Sequence, residues 1–119
     1  MLSFPELVRI YVSTQPTDMR KGFDSLAAVV RDWLGHDPLS GHLFVFRSRR
    51  GDRVKLLWWD RDGLALFYKR LERGVFRFPA AVDPETRSIE VSAQELSLVL
   101  WGIDPASVKR QKRYTLGAR

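Results

Sequence analysis

Apolar residues recur at helical spacing in two parts of the chain. Between residues 23 and 34 they fall at i, i+3, i+4, i+7, i+10 and i+11, which is one stripe of an amphipathic helix. Gly35 and Pro38 end this pattern. A second helix is predicted after Ser92, because residues 92–95 spell a capping box in which a serine hydroxyl and a glutamate carboxylate each satisfy a free backbone amide.

Short runs of β-branched and aromatic residues predict strands. Loops of three to five residues that contain glycine separate several of them, which is typical of antiparallel hairpins. The run 64–69 also fits a helical period, and we favour a strand there. The predicted strands cover residues 9–14, 42–48, 54–60, 64–69, 75–78 and 89–91.

These elements predict an α+β fold. We expect a small antiparallel sheet of about four to six strands packed with two helices, in the order β-α-β-β-β-β-β-α. Residues 1–107 would form this single domain. Residues 108–119 are rich in cations and lack apolar periodicity, which predicts a basic C-terminal tail.

Composition narrows the class of protein. The net charge of +6 indicates a polyanionic partner such as nucleic acid. The chain contains no cysteine and only two histidines, which argues against disulfides, thiol chemistry and a histidine-built metal site. There is no signal-peptide pattern and no apolar run long enough to span a bilayer, so we expect a soluble cytoplasmic protein.

The segment 47–77 concentrates the charge. It carries ten cations against four acids, with aromatic residues between them. Crowded like charges destabilise a compact state, so such a cluster favours a surface that binds phosphates. From this segment and the tail, the predicted nucleic-acid contacts are Arg47, Arg49, Arg50, Arg53, Lys55, Lys69, Arg70, Arg73, Lys109, Arg110, Lys112 and Arg113.

A second candidate site precedes the first helix. Arg20 and Lys21 lie beside Gly22 at the helix start, where free amides and two cations together could hold a phosphate. The alternative is that Asp18 neutralises the cluster and both cations point into water.

The pair Trp58-Trp59 lies on a predicted strand. Successive side chains of a strand point to opposite faces, so only one of the two can face a given core. The other indole is expected to meet a base, a partner protein or a second covering layer.

Catalytic motifs are missing from the sequence. There is no glycine-rich phosphate loop, no nucleophile elbow and no metal-spaced histidine cluster. Asp52, Asp60 and Asp62 lie in predicted turns, where aspartate is favoured for local hydrogen bonding. We therefore predict a protein that is not an enzyme and needs no cofactor or metal.

Three segments resemble a known family. The stretches DMRKGFDSL (18–26), GHLFVFRSRRGDRVKLLWWDRDG (41–63) and LFYKRLERGVFRFP (66–79) look like the TnpB-type accessory protein, the second reading frame (Orf2) of insertion-sequence family 66. The matching positions are Asp18, Arg20, Lys21, Gly22, Phe23, Phe46, Arg53, Lys55, Leu57, Trp59, Asp60, Gly63, Lys69, Arg70, Leu71, Gly74 and Phe76.

The resemblance implies a part in DNA transposition beside a separate, larger transposase that carries the catalytic acids. Our first hypothesis is accordingly a non-catalytic accessory protein that binds transposon DNA through an arginine-rich face and assists the transposase. The alternatives are an adaptor that docks on the transposase with little DNA contact, and a small metal-dependent nuclease that uses Asp18, Asp52 or Asp60.

Overall fold

The described part of the protein, residues 7–102, is a five-stranded sheet with a helix on each face. The structure is a computed structural model. Its elements are β1 (Ile10–Ser13), α1 (Phe23–Val29) continued by a π-helical turn (Val30–Leu34), β2 (Leu43–Arg47), β3 (Arg53–Asp60), β4 (Gly63–Arg70), β5 (Ser88–Val91) and α2 (Ala93–Leu100).

The strands lie in the order β4-β3-β2-β1-β5. β2, β3 and β4 form an antiparallel meander, and β5 returns antiparallel to β1. β1 and β2 are parallel, with Ile10 opposite Leu43, because the chain between them crosses over through α1.

Alternation along the strands builds two cores. On one face, residues such as Val54 and Leu56 pack with Leu96 and Val99 of α2. On the other face, the strand residues Phe44, Phe46 and Leu57 pack against α1 and its π turn. The helical residues of this core are Leu26, Ala27, Val30 and Leu34. The sheet is therefore apolar on both sides, as expected for a sheet that is covered on both faces.

The structure confirms the α+β class, both helices and five strands. The ambiguous run 64–69 is a strand, because it pairs with β3 along its whole length. Two expectations were wrong. The sheet is mixed, because β1 and β2 are parallel, and residues 75–78 form no strand.

Phe76 explains the missing strand. Its side chain is buried in the α2-side core, while its N–H donates to the carbonyl of Gly51 at 2.8 Å in the β2–β3 turn. Pro79 follows and has no N–H to donate. The segment thus packs across the end of the sheet. The predicted boundary between a domain and a tail at residues 107 and 108 lies outside the described residues.

Candidate nucleic-acid interface

Three loops meet at the end of the sheet that carries the β2–β3 turn. The N–H of Leu71 donates to Asp52 O at 2.8 Å, which holds the turn after β4 against the β2–β3 turn. The N–H of Thr17 donates to Arg47 O at 2.9 Å, which brings the loop before α1 to the same end. Backbone bonds therefore fix the relative positions of three loops rich in cations.

Five arginines lie at this end, and we call them the basic end: Arg49, Arg50, Arg53, Arg70 and Arg73. Arg49 and Arg50 are exposed in the β2–β3 turn, and Arg73 is exposed in the turn after β4. Arg53 lies directly opposite Arg70 on neighbouring strands. Like charges at directly opposed positions destabilise a sheet, so this pair favours a nearby anion.

Carboxylates neutralise little of the basic end. Arg70 donates to Glu72 Oε1 at 3.0 Å, in a pair exposed by more than half on both sides. Among the described residues, the Arg53 guanidinium hydrogen-bonds to the Tyr68 hydroxyl alone, at 3.4 Å. Within residues 7–102, Arg49, Arg50 and Arg73 form no ion pair.

Arg20 borders the basic end across an open hollow. The hollow has a volume of about 420 Å³ and is lined in part by Arg20, Arg49, Arg50 and Arg53. Asp18 also lines it and accepts two hydrogen bonds from Arg20 Nε at 3.1 Å, one from Nη2 at 2.7 Å and one from the Arg20 backbone N–H at 2.9 Å. The hydrogen bonds from the guanidinium, then that from the backbone, lower the pKa of Asp18 to about 2. Asp18 thus stays ionised and offsets part of the charge of Arg20.

The structure corrects the expectation for Lys55. Its side chain is 6% exposed, and its Nζ donates to Met19 O and to Lys21 O, both at 2.7 Å. The ammonium also lies 4.6 Å from the centre of the Tyr68 ring. Lys55 therefore anchors the loop before α1 and is not placed to meet a phosphate. The half-buried Lys21 side chain lines a separate hollow beside Trp33.

Two more predicted contacts lie away from the basic end. Arg47 donates through Nη2 to Thr14 O at 3.0 Å and lines a cleft of about 440 Å³ between β1, β2 and residues 75–86. Lys69 points to the α2 side of the sheet, where its Nζ donates to Leu100 O at 3.0 Å and lies 4.6 Å over the Trp101 ring. Both cations are engaged with the protein itself.

The tryptophan pair divides between the two faces of β3. Trp58 packs against the α2-side core and is half-buried. Trp59, opposite Leu64 of β4, points to the α1 side and is also half-buried. The face to which Trp59 points is the one that α1 covers. The tail cations Lys109, Arg110, Lys112 and Arg113 lie outside the described residues.

Tyr68 is a member of this surface that the charge pattern did not indicate. It is 47% exposed and shares the α1 face with Arg53 and Arg70. The length of the Arg61-Asp62 loop could have indicated this position. A two-residue hairpin loop fixes the register of β3 and β4, and that register places Tyr68 opposite Lys55. Its hydroxyl, 3.4 Å from Arg53 Nη1, adds a hydrogen-bond donor for a phosphate.

Of the three carboxylates weighed for a nuclease, Asp18 and Asp52 line the same hollow, but Asp60 lies elsewhere. Asp52 precedes β3 and Asp60 ends it, so about 25 Å of extended chain separates them. Asp52 accepts a hydrogen bond from the Ser48 hydroxyl at 3.3 Å. Among residues 7–102, no three histidine, aspartate or glutamate side chains are grouped to hold a metal ion.

No helix in that part of the chain is long and apolar enough to cross a membrane.

Family membership follows from a match across most of the chain. Residues 8–110 match the family described as IS66 Orf2-like protein, so the chain belongs to that family. It is accordingly an accessory protein associated with the transposition of an insertion sequence, and the family implies association with the transposase of the element. This is a family of accessory proteins and not of known enzymes.

Two relatives from Sinorhizobium fredii (strain NGR234) are similar along nearly their whole length. The uncharacterized protein y4hO is 47% identical over 104 residues, which cover 87% of this chain and 88% of the relative. The uncharacterized protein y4jC is 42% identical over 104 residues, which cover 87% of this chain and 86% of the relative. No solved structure gives a significant match to the chain.

Proposed function

We propose that this accessory protein binds the DNA of its insertion sequence through the basic end. The observation that carries the proposal is the group of Arg49 and Arg50 in the β2–β3 turn and Arg53 at the start of β3, none of which has a carboxylate partner among the described residues. Guanidinium groups form bidentate hydrogen bonds with phosphate, and their fixed charge attracts the DNA backbone.

The surrounding residues support the same role. Arg70 and Arg73 extend the basic end, and Arg20 borders it as a partly neutralised sixth cation. Tyr68 supplies a hydroxyl beside Arg53. The tail cations Lys109, Arg110, Lys112 and Arg113 add attraction that does not depend on DNA sequence.

The geometry favours contact with the DNA backbone over reading of bases. Arginines in a turn at the end of a sheet reach phosphates without a helix or ribbon entering a groove. Trp58 and Trp59 are half-buried on the two faces of β3, so base stacking is not part of this proposal. Positioning of the transposase on the element would follow from simultaneous contact with DNA and with that enzyme.

The test is a pair of matched double variants. Arg49→Gln/Arg50→Gln removes two exposed cations from the basic end, and Arg31→Gln/Arg61→Gln removes two exposed cations elsewhere. Binding to double-stranded transposon ends is measured by fluorescence anisotropy over a range of salt concentrations. The first variant should weaken binding and make the log–log salt slope shallower by about 1.8, since two phosphate contacts are lost.

The control variant should bind like the wild type apart from the smaller effect of its net charge. Equal loss in both variants would show that only overall charge matters, and the basic end would then not be the binding surface. A parallel measurement with purified transposase separates the adaptor alternative. If the protein is an adaptor, both double variants should bind the transposase as well as the wild type does, and none of the three proteins should bind DNA alone.

A further inference from the structure

Within the described part of the chain, the outer edge of the sheet at β4 carries a row of backbone hydrogen-bonding groups that no other strand uses. β4 is eight residues long, and within residues 7–102 only β3 pairs with it. The opposite edge strand, β5, has four residues. A long edge strand is a template for pairing with another strand unless it is covered, so the β4 edge calls for a partner.

The register shows which residues offer these groups. The N–H of Ser48 donates to Arg53 O at 2.9 Å, and the N–H of Leu71 donates to Asp52 O at 2.8 Å. In an antiparallel sheet these two bonds direct the backbone of every second residue of β4 toward β3. The remaining backbone groups point away from the sheet, and they belong to Leu64, Leu66, Tyr68 and Arg70.

The side chains at these outward positions all lie on the α1 face of the sheet. Leu64 and Leu66 are half-buried against the α1-side core, and Tyr68 is 47% exposed. Neither proline nor a charged residue interrupts the strand before Lys69. Along most of its length, the edge therefore lacks the prolines and charged residues that commonly prevent the addition of another strand.

We propose that the occupant of this edge is a second copy of the chain, paired antiparallel through β4 about a twofold axis at Leu66. Outward-facing residues must pair with outward-facing residues, and a twofold axis normal to the sheet keeps equivalent faces on the same side. With Leu66 opposite its own copy, Leu64 lies opposite Tyr68 of the second copy. Asp62 then lies opposite Arg70 of the second copy, and the twofold axis repeats this pair, so the dimer contains two of them.

Charge makes this register self-complementary. Arg70 already lies opposite Arg53 in its own sheet, so a carboxylate on its other side relieves the repulsion between like charges. Asp62 is exposed and forms no ion pair within residues 7–102, so it is available for this contact. The alternative register centred on residue 67 brings Asp62 opposite Glu72 and is disfavoured. Arg49 and Arg50 stay exposed in the dimer, whereas Tyr68 and Arg70 of the DNA-binding surface lie at the interface between the copies, so self-association is measured without DNA.

A single cysteine tests the axis. The chain contains no cysteine, so Leu66→Cys introduces one thiol per copy. Opposed residues in a hydrogen-bonded antiparallel pair lie about 5.5 Å apart at Cα, within the range of about 4.4–6.8 Å that a disulfide spans. Mild oxidation of the full-length variant should yield a covalent dimer, whereas Ser25→Cys, on the exposed side of α1, should stay uncrosslinked under the same conditions.

Charge exchange tests the register without altering the apolar positions. Light scattering after gel filtration should give twice the monomer mass for the wild type. Asp62→Arg alone, and Arg70→Asp alone, should weaken self-association at least about tenfold, since like charges then meet across the axis. The double variant Asp62→Arg/Arg70→Asp should restore it. A monomeric wild type, equal crosslinking of both cysteine variants, or a double variant as weak as the single ones would overturn the proposal.

Discussion

Lys55 is the residue on which the loop before α1 depends. Its ammonium is buried and donates to two carbonyl oxygens of that loop, those of Met19 and Lys21. The loop in turn carries Arg20 to the border of the basic end. One side chain of β3 thus ties a surface cation to the centre of the sheet.

Replacement of Lys55 by methionine is expected to destabilise the protein. The variant keeps much of the side-chain volume, but it leaves two carbonyl groups without their charged donor. We expect the free energy of unfolding to fall by about 2 kcal/mol, measured by urea denaturation.

Lys21→Met is the matched control, because the same substitution there removes an ammonium with no hydrogen bond to the described residues. Its effect should stay within about 0.5 kcal/mol. Equal stability of the two variants would contradict the anchoring role of Lys55.

At the scale of elements, α2 is the clearest case of local sequence deciding structure. The Ser92 hydroxyl accepts from the N–H of Glu95 at 3.0 Å, and Glu95 Oε1 accepts from the N–H of Ser92 at 2.9 Å. The capping box predicted from four letters is therefore present, and the helix begins at Ala93. It orients Leu96 and Val99 toward the sheet.

Loss of this cap should be measurable. Ser92→Ala removes one partner of the box, and we expect it to lower the free energy of unfolding by about 1 kcal/mol. Ser97→Ala, on the exposed side of the same helix, should be neutral or slightly stabilising, since alanine is the better helix former. Thermal unfolding followed by circular dichroism compares the two. A Ser97 variant as unstable as the Ser92 variant would show that the cap contributes nothing specific.

Strand pairing decided the secondary structure of segments whose local sequence fits more than one element. Residues 64–69 fit a helical spacing and a strand equally well, and the two-residue turn Arg61-Asp62 resolves the choice by folding the chain back along β3. Arg61 takes a positive φ of 56° there, which such tight turns require. Residues 75–78 have a strand-like composition, but the end of the sheet offers Phe76 a buried position, where its N–H donates to the carbonyl of Gly51.

At the scale of the whole molecule, the proposed function depends on where cations without a carboxylate partner lie together. The ion pairs within residues 7–102 are four, and only two of them involve cations at or beside the basic end. Among residues 7–102, the β2–β3 turn therefore presents neighbouring exposed arginines without a carboxylate partner.

This distribution predicts how DNA affinity responds to salt. With about five phosphates neutralised, the logarithm of the binding constant should fall against the logarithm of salt concentration with a slope of about −4 to −5. Titration of wild-type protein into labelled duplex at several salt concentrations measures it. A slope near zero would contradict a phosphate-based interface, whatever the affinity at a single salt concentration.

The sequence by itself determined the α+β class, both helices, the stop of the first helical segment at Gly35, the start of α2, and the family. The secondary-structure predictions depend on local features of the sequence, namely the apolar period, helix caps, glycine and proline. The family assignment depends on long sequence motifs, which are recognised without knowing any tertiary contact. The sequence also indicated the segment that carries the basic end, because charge counting needs no coordinates.

Only the tertiary structure decided which cations belong together. Lys55 follows Arg53 by two residues and Lys69 directly precedes Arg70, yet Lys55 is buried under the loop before α1 and Lys69 faces α2. Position along a strand alternates between faces, and which face is covered depends on packing between distant elements. The parallel pairing of β1 with β2 and the open edge at β4 arise in the same way, from the order of strands across the sheet.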